Sequence, residues 1–312
     1  MHPHLIARFR ADAAPLWPVG ERLGIAVSGG PDSIALLLLA HAACHGDVEA
    51  ATVDHGLRPE SAEEAAMVAS LCAGLGVPHE ILPVLVASGN LQAQARQARY
   101  AALGGWMTRR GLKLLASAHH ADDQAETLLM RLNRGSGIAG LAGVRASAPV
   151  PGHEELRLIR PLLRWRKAEL ERVVDSAGIG AVQDPSNQDP KFDRARLRQA
   201  LAQADWLDPV AMAQSAGNLA DAAEALEWAA QREWDECVAE VEGGLLYTPQ
   251  APRAVRLNVL TRAITQLGNE PRGSAVAALI DTLEQGEGGN IAGVLVNPSP
   301  DGWMLRREPP RN

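Results

Sequence analysis

Short apolar runs recur along the first two thirds of the chain, and most are followed by a longer segment with helical spacing. Strand-length runs fall at Leu23–Val27, Glu49–Val53, Glu80–Val84, Leu112–Ala118 and Leu156–Arg160. Helical patterns cover Asp32–His45, Ser61–Leu75, Leu91–Arg109, Asp122–Arg134 and Arg166–Ala177. This alternation predicts an α/β fold, a doubly wound parallel sheet with helices on both faces. Gly46-Asp47 and Gly76-Val77-Pro78 supply stop residues for two of the helices. In such a sheet a ligand lies beyond the carboxyl ends of the strands, where the strand order switches.

The pattern changes after about residue 206. An Ala-rich helical stretch from Pro209 to Glu240 has no strand beside it, and Gly243-Gly244 is read as its end. Helical patterns at Arg253–Leu267 and Ser274–Gln285 follow, and the segment from Asn290 to Arg307 reads as two short strands around Pro298-Ser299-Pro300-Asp301-Gly302. The expected domains are therefore 1–206, carrying the parallel sheet, and 207–312, a linker helix with a small α+β domain. A length of 312 residues suits that division.

Composition removes several classes. With 46% hydrophobic and 21% charged residues, the chain is expected to fold rather than remain disordered. The apolar run Ile34–Cys44 is broken by His41 and is too short to span a bilayer, and the N-terminus has no apolar stretch of the export type. Cys44, Cys72 and Cys237 are odd in number and far apart, so they form neither a disulfide framework nor a Cys-x-x-Cys pair. A cytoplasmic protein with no membrane partner is the expectation. The net charge of −7 argues weakly against nucleic acid, but it is unevenly spread: residues 157–172 carry a net +4 and residues 191–198 a net +3. These segments fit a phosphate-backbone footprint, though charge alone slightly favours a pair of amphipathic surface helices.

The chemistry begins at Leu23–Val27. This run leads through Ser28-Gly29-Gly30 into Pro31-Asp32-Ser33 and the apolar helix behind it. A glycine turn at a helix start favours an anion, because unpaired N–H groups and the positive dipole end point there. Ser28 and Ser33 add hydroxyls. Asp32 is a carboxylate where phosphate is expected, which makes sense with a divalent cation between them. No Gly-Lys-Ser/Thr follows, so this is not a Walker A loop.

Further motifs fall at later strand ends. Asp54 and His55, in Val53-Asp54-His55-Gly56-Leu57-Arg58, end the second strand. Arg96 and Arg99 share a helix face at i, i+3 and offer two guanidinium forks for phosphate, or a solvated face. In Ala118-His119-His120-Ala121-Asp122-Asp123-Gln124-Ala125-Glu126-Thr127, two acids in a first helical turn suit the dipole, but Glu126 and the two histidines exceed that need. Asp123 and Glu126, at i, i+3, form a twin-carboxylate pocket for a metal or an ammonium. Gly135-Ser-Gly-Ile-Ala-Gly140 matches G-x-G-x-x-G by letter yet follows a helix, so it is rejected as a dinucleotide fingerprint. Asp184-Pro185-Ser186-Asn187 reads as a turn ahead of the basic cluster Arg194, Arg196 and Arg198.

Ser-Gly-Gly-Pro-Asp-Ser resembles the signature of the PP-loop ATP pyrophosphatases. The ordered set, with Val-Asp-His-Gly-Leu-Arg, Gln-Ala-Arg-Gln-Ala-Arg-Tyr, His-His-Ala-Asp-Asp-Gln-Ala-Glu-Thr, Arg-Gly-Ser-Gly, Arg160-Pro-Leu-Leu163 and Asp-Pro-Ser-Asn-Gln-Asp, resembles the short form of the tRNA(Ile)-lysidine synthetase family over roughly residues 20 to 200. The resemblance implies an ATP-dependent ligase joining L-lysine to the wobble cytidine of a CAU-anticodon isoleucine tRNA through an adenylylated base. It implies that Ser28, Gly29, Gly30, Pro31, Asp32, Ser33 and Asp54 hold ATP, with Asp32 on Mg²⁺. Arg99 and Arg96 would offset charge on the transferring phosphate. Asp123 and Glu126 would bind the lysine ammonium, with His119 near the proton. Arg96, the stripe from Arg160 to Lys167, Arg194 and Arg198 would face the RNA. Family members usually carry Asn after the arginine matched by Arg194, where this chain has Ala195. The oligomeric state stays open between a monomer and a homodimer.

Overall fold

The computed structural model describes residues 2–44, 47–56, 60–85, 91–180 and 193–309. Gly46, Leu57, Arg58, Asn90 and the Asp184–Asn187 turn, all singled out above, lie outside the described residues. By its internal contacts the chain divides into two units, Met1–Gly135 with Leu141–Gly217, and Ser136–Gly140 with Asn218–Asn312.

From Pro3 to Ala202 the elements run α1 (Pro3–Ala13), β1 (Leu23–Ala26), α2 (Pro31–Ala43), β2 (Val48–Asp54), α3 (Glu60–Leu75), β3 (His79–Pro83), α4 (Leu91–Arg110), β4 (Leu114–Ala116), α5 (Ala121–Leu132), α6 (Ile138–Leu141), β5 (Ser147–Val150), β6 (His153–Ile159), α7 (Lys167–Ser176) and α8 (Asp193–Ala202). The six-stranded sheet has the order β3-β2-β1-β4-β6-β5. All pairings are parallel except β5 with β6. The order reverses between β1 and β4, which puts the glycine turn after β1 and the His119–Glu126 motif after β4 side by side at the switch point.

Burial explains the apolar reading. β1 and β4 are covered on both faces, so they show no alternation. One core gathers α1, α2, α3 and α7 against the sheet, and another places Tyr100, Leu103, Trp106 and Met107 of α4 with residues of β3, β4 and β6. Helix α2 is buried from Ser33 through Ala40 because α1 and α7 pack on it, so its sequence is apolar all round.

Beyond residue 208 the structure corrects two expectations. The long helix α9 spans Pro209–Cys237 and passes directly into a strand, β7 (Val238–Val241), which pairs with β8 (Gly244–Tyr247). Gly243, at φ +80, turns that hairpin instead of ending the helix. Helices α10 (Arg253–Leu267) and α11 (Gly273–Glu284) pack on an antiparallel sheet of order β7-β8-β11-β10-β9, where β9 is Gly289–Ile291, β10 Val294–Ser299 and β11 Gly302–Arg307. No helix among the described residues is long and apolar enough to cross a membrane.

Candidate active site

The turn between β1 and α2 separates two glycines by role. Gly29 has φ +86, a conformation that strains any residue with a Cβ. Gly30 has φ −72, and a Cβ built there meets only Ser28 Oγ at 3.8 Å. The fold does not require glycine at 30. Its absent side chain keeps space open beside the first turn of α2, where Pro31 takes the first helical position and Asp32 and Ser33 follow. The turn is braced from within: Ser28 N–H donates to Ser33 Oγ at 3.1 Å, and the Ser33 hydroxyl donates to Gly30 O at 2.9 Å.

Asp32 faces the neighbouring motif. Its Oδ2 lies 3.5 Å from His120 Nε2, while its buried Oδ1 has no hydrogen-bond partner among the described residues. A buried carboxylate oxygen without a donor is costly. A cation shared with a phosphate would satisfy it, so the residue fits the role of a Mg²⁺ ligand. Among the described residues no group of three or more His, Cys, Asp or Glu side chains is placed to hold a metal by itself. One carboxylate plus substrate phosphates is an ordinary Mg²⁺ environment.

His120 joins the two motifs. It caps α5, donating its backbone N–H to Asp123 Oδ2 at 3.2 Å, while the Asp123 N–H approaches its Nδ1 at 3.4 Å. Its Nε2 stands 3.6 Å from Asp123 Oδ2. Burial disfavours charge on this imidazole, but the Asp32 hydrogen bond and the carboxylates of Asp123, Asp32 and Asp122 outweigh burial and raise its pKa. Conversely, burial alone would raise the Asp123 carboxyl, yet His120, Arg194 and His119 hold it below its usual range. His119 differs from its neighbour. Burial, with Arg160, Arg194 and Arg96 nearby, outweighs the pull of Asp123 and pushes it down to about 4. It is neutral at neutral pH, and Ser117 Oγ sits 3.0 Å from its Nδ1.

The acids of α5 divide by task. Asp122 accepts the Lys167 N–H at 2.8 Å and the Arg166 Nε–H at 3.2 Å, fixing the start of α7. Glu126 is 2% exposed and takes the Arg194 Nε–H at 2.6 Å and the Arg198 Nε–H at 2.7 Å. Arg194 also reaches Asp123 Oδ1 at 3.2 Å. The twin-carboxylate pocket therefore exists, but two guanidinium groups from α8 stand on it. Arg194 and Arg198, expected along an RNA backbone, are here anchored to these acids. The reason is electrostatic, since a buried carboxylate without a counter-charge is more costly than a pair.

Along the basic stripe Arg160 is only 6% exposed, Arg164 is exposed, Arg166 pairs with Asp122, and Lys167 approaches Glu171 at 3.9 Å. Asp54 Oδ1 accepts from the Gly56 N–H at 2.9 Å and the Ser61 hydroxyl at 2.7 Å, bonds that hold its carboxyl low. One oxygen of the residue expected to hold ATP thus braces the end of β2. Arg96 and Arg99 lie exposed on α4 as expected, with the Arg96 guanidinium 4.9 Å from the Tyr100 ring centroid. The sequence reading assigned His120 no role. Its function as cap and bridge carries no local signature, because histidine is not a usual helix cap.

A family model described as a PP-loop domain matches residues 3–205. The chain is 48% identical over 306 residues to a tRNA(Ile)-lysidine synthase of Novosphingobium aromaticivorans, covering 97% of this chain and 94% of that one. It is 42% identical over 303 residues to the enzyme of the same name from Zymomonas mobilis subsp. mobilis, covering 94% and 91%. Among solved structures, a U34-tRNA thiolase from Methanococcus maripaludis aligns with TM-score 0.56 and 15% identity over 69% of this chain and 76% of that one, a likeness of fold alone.

Proposed function

The chain belongs to the tRNA(Ile)-lysidine synthase family of PP-loop proteins, and from that membership and the site above we propose that it ligates L-lysine to the wobble cytidine of the CAU-anticodon isoleucine tRNA, using ATP. Residues 1–206 act as the catalytic domain. Residues 207–312 form the linker helix and a small RNA-associated domain. In the first step the cytosine O2 attacks the α-phosphate and pyrophosphate leaves. In the second the lysine ε-amine attacks C2 of the adenylylated base and AMP leaves.

The observation that carries this reading is the bridge Asp32–His120–Asp123. It sets a phosphate-binding turn, with an acid suited to a cation, against an acidic recess suited to an aminoalkyl group, at the switch point of the sheet. The start of α2 and Gly30 receive the triphosphate. Asp32 would hold Mg²⁺, which would supply charge neutralisation at the phosphates. His120 keeps Asp32 and Asp123 in fixed relation. Asp123 and Glu126 receive the lysine ammonium, which replaces a guanidinium of α8 on the same oxygens, and one of these carboxylates takes its proton so that the free amine can attack, with neutral His119 close by.

The direct test is mass analysis of the CAU-anticodon tRNA after incubation with ATP and isotopically labelled lysine. One labelled lysine on the cytidine is expected, with pyrophosphate release requiring this tRNA and AMP release requiring both the tRNA and lysine. AMP release that ignores lysine would remove the ligase reading and leave the fold untouched.

A further inference from the structure

Three carboxylates crowd one imidazole. Around the His120 ring stand Asp32 Oδ2 at 3.5 Å and the Oδ2 atoms of Asp122 and Asp123 at 3.6 Å. Like charges this close repel, so the first turn of α5 keeps the arrangement only if contacts outside the cluster fix it. One segment, ahead of α7, supplies them. The Ala121 N–H, a helix-start donor with no acceptor inside α5, donates to Trp165 O at 2.8 Å. Asp122 accepts the Lys167 N–H at 2.8 Å and pairs with the Arg166 guanidinium at 3.2 Å, which offsets its charge beside Asp32 and Asp123.

That segment is held in turn from α1, a helix that carries none of the motifs. The Trp165 side chain is fully buried, and its Nε1–H donates to Asp12 Oδ2 at 2.9 Å. The Arg8 guanidinium lies 4.2 Å from a Trp165 ring centroid and donates to Arg164 O at 2.8 Å and Glu169 Oε1 at 2.7 Å. A strut therefore runs from α1 through Trp165 to the turn that presents His120 and Asp123. We propose that Trp165, held by Asp12, and Asp122 are positioning residues, which fix the first turn of α5 so that His120 and Asp123 meet Asp32 in a single geometry. The reaction they serve rests on the ligase reading. The strut does not.

The test uses the full chain, with activity read well below the melting temperature of each variant. Trp165→Phe keeps a ring beside Arg8 and removes the indole N–H. Asp12→Ala removes its acceptor, and Asp12→Asn keeps an acceptor oxygen. In Trp165→Phe and Asp12→Ala, kcat for lysidine formation is expected to fall about tenfold while KM for ATP and for the tRNA stays within about twofold, the mark of misplaced reacting groups. Asp12→Asn recovers most of the loss. Asp122→Ala shows the same split, and Asp122→Asn, which still accepts the Lys167 N–H, recovers part of it. Amide hydrogen exchange over residues 121–123 gives a readout that needs no turnover: it should quicken about tenfold in the impaired variants, with β1 and β4 unchanged. Should Trp165→Phe fail to fold, the two Asp12 variants carry the test. A lower melting temperature with wild-type kcat would make Trp165 a packing residue and overturn the proposal, as would slowed turnover with unchanged exchange at 121–123. Quickened exchange in the variants of a protein that makes no lysidine would refute the function and keep the strut.

Discussion

Arg198 holds Glu126 through two contacts, its Nε 2.7 Å from Oε1 and an outer nitrogen 3.2 Å from Oε2. The residues are 72 positions apart, so the pair fastens α8 to α5 across the sequence. Glu126→Gln removes the charge that both arginines neutralise. The arginine side chains are 45% and 36% exposed, which limits the penalty relative to a fully buried triad. A loss of about 1–2 kcal/mol in urea unfolding is expected. KM for lysine should rise at least tenfold (~1.4 kcal/mol) while pyrophosphate release changes little. A variant with wild-type stability and lysine KM would show that Glu126 serves neither purpose.

The glycines of the turn separate strain from ligand approach. Gly29→Ala forces a Cβ into a left-handed conformation and should cost about 1 kcal/mol of stability. Gly30→Ala meets no strain and should leave the unfolding midpoint within about 0.5 kcal/mol of wild type. Its Cβ would fill the space beside the helix start, so KM for ATP should rise by at least tenfold (~1.4 kcal/mol). Paired denaturation and kinetics on both variants check this. Unchanged ATP kinetics in Gly30→Ala would place the triphosphate elsewhere.

Asp32→Asn keeps the shape of the side chain and removes its charge. Because Oδ1 is buried without a donor, the substitution should not lower the melting temperature. Pyrophosphate release should fall by 10² or more, the scale of losing a major electrostatic contact in the transition state. Calorimetry together with a pyrophosphate assay distinguishes the two effects. Near-normal turnover would remove the cation role given to this residue.

Much of the first unit was legible because its motifs are local. Buried parallel strands write themselves as apolar runs, and the glycine turn and the α5 acids sit at strand ends, where a doubly wound sheet collects its ligand. What escaped was non-local. Nothing near Arg194 or Arg198 in sequence indicates that they reach Glu126, since charge pairing between distant segments leaves no periodicity. Arg160 did carry a signal: it interrupts Leu158-Ile159-Arg160-Pro161-Leu162, and an arginine inside an apolar run is a buried one. Strand β5 was hidden by Pro149 at the irregularity in its pairing with β6. Strand β7 was hidden because Val238-Ala-Glu-Val241 continues the Ala- and Glu-rich character of α9.

The second unit contains its own pH-dependent element. Glu233 on α9 is buried, and its Oε1 accepts the Tyr247 hydroxyl at 3.0 Å and the N–H groups of Gln250 and Ala251 at 2.8 and 3.0 Å. Burial pushes the carboxyl upward, but these donors together outweigh it and hold the pKa below its ordinary value. The folded state therefore binds the proton less readily than the unfolded chain. The resulting stability is complete above the unfolded carboxyl value, near 4.3, and is lost as the pH falls through the lower folded one. Glu233→Gln should be less stable than wild type at pH 7, because the amide cannot accept all three donors as well as the carboxylate does. The gap should narrow below about pH 4. Urea melts of both proteins between about pH 3 and 7, compared as a difference so that other titrating groups cancel, read this directly. A gap that stays constant across that range would mean that Glu233 holds the hairpin by shape alone.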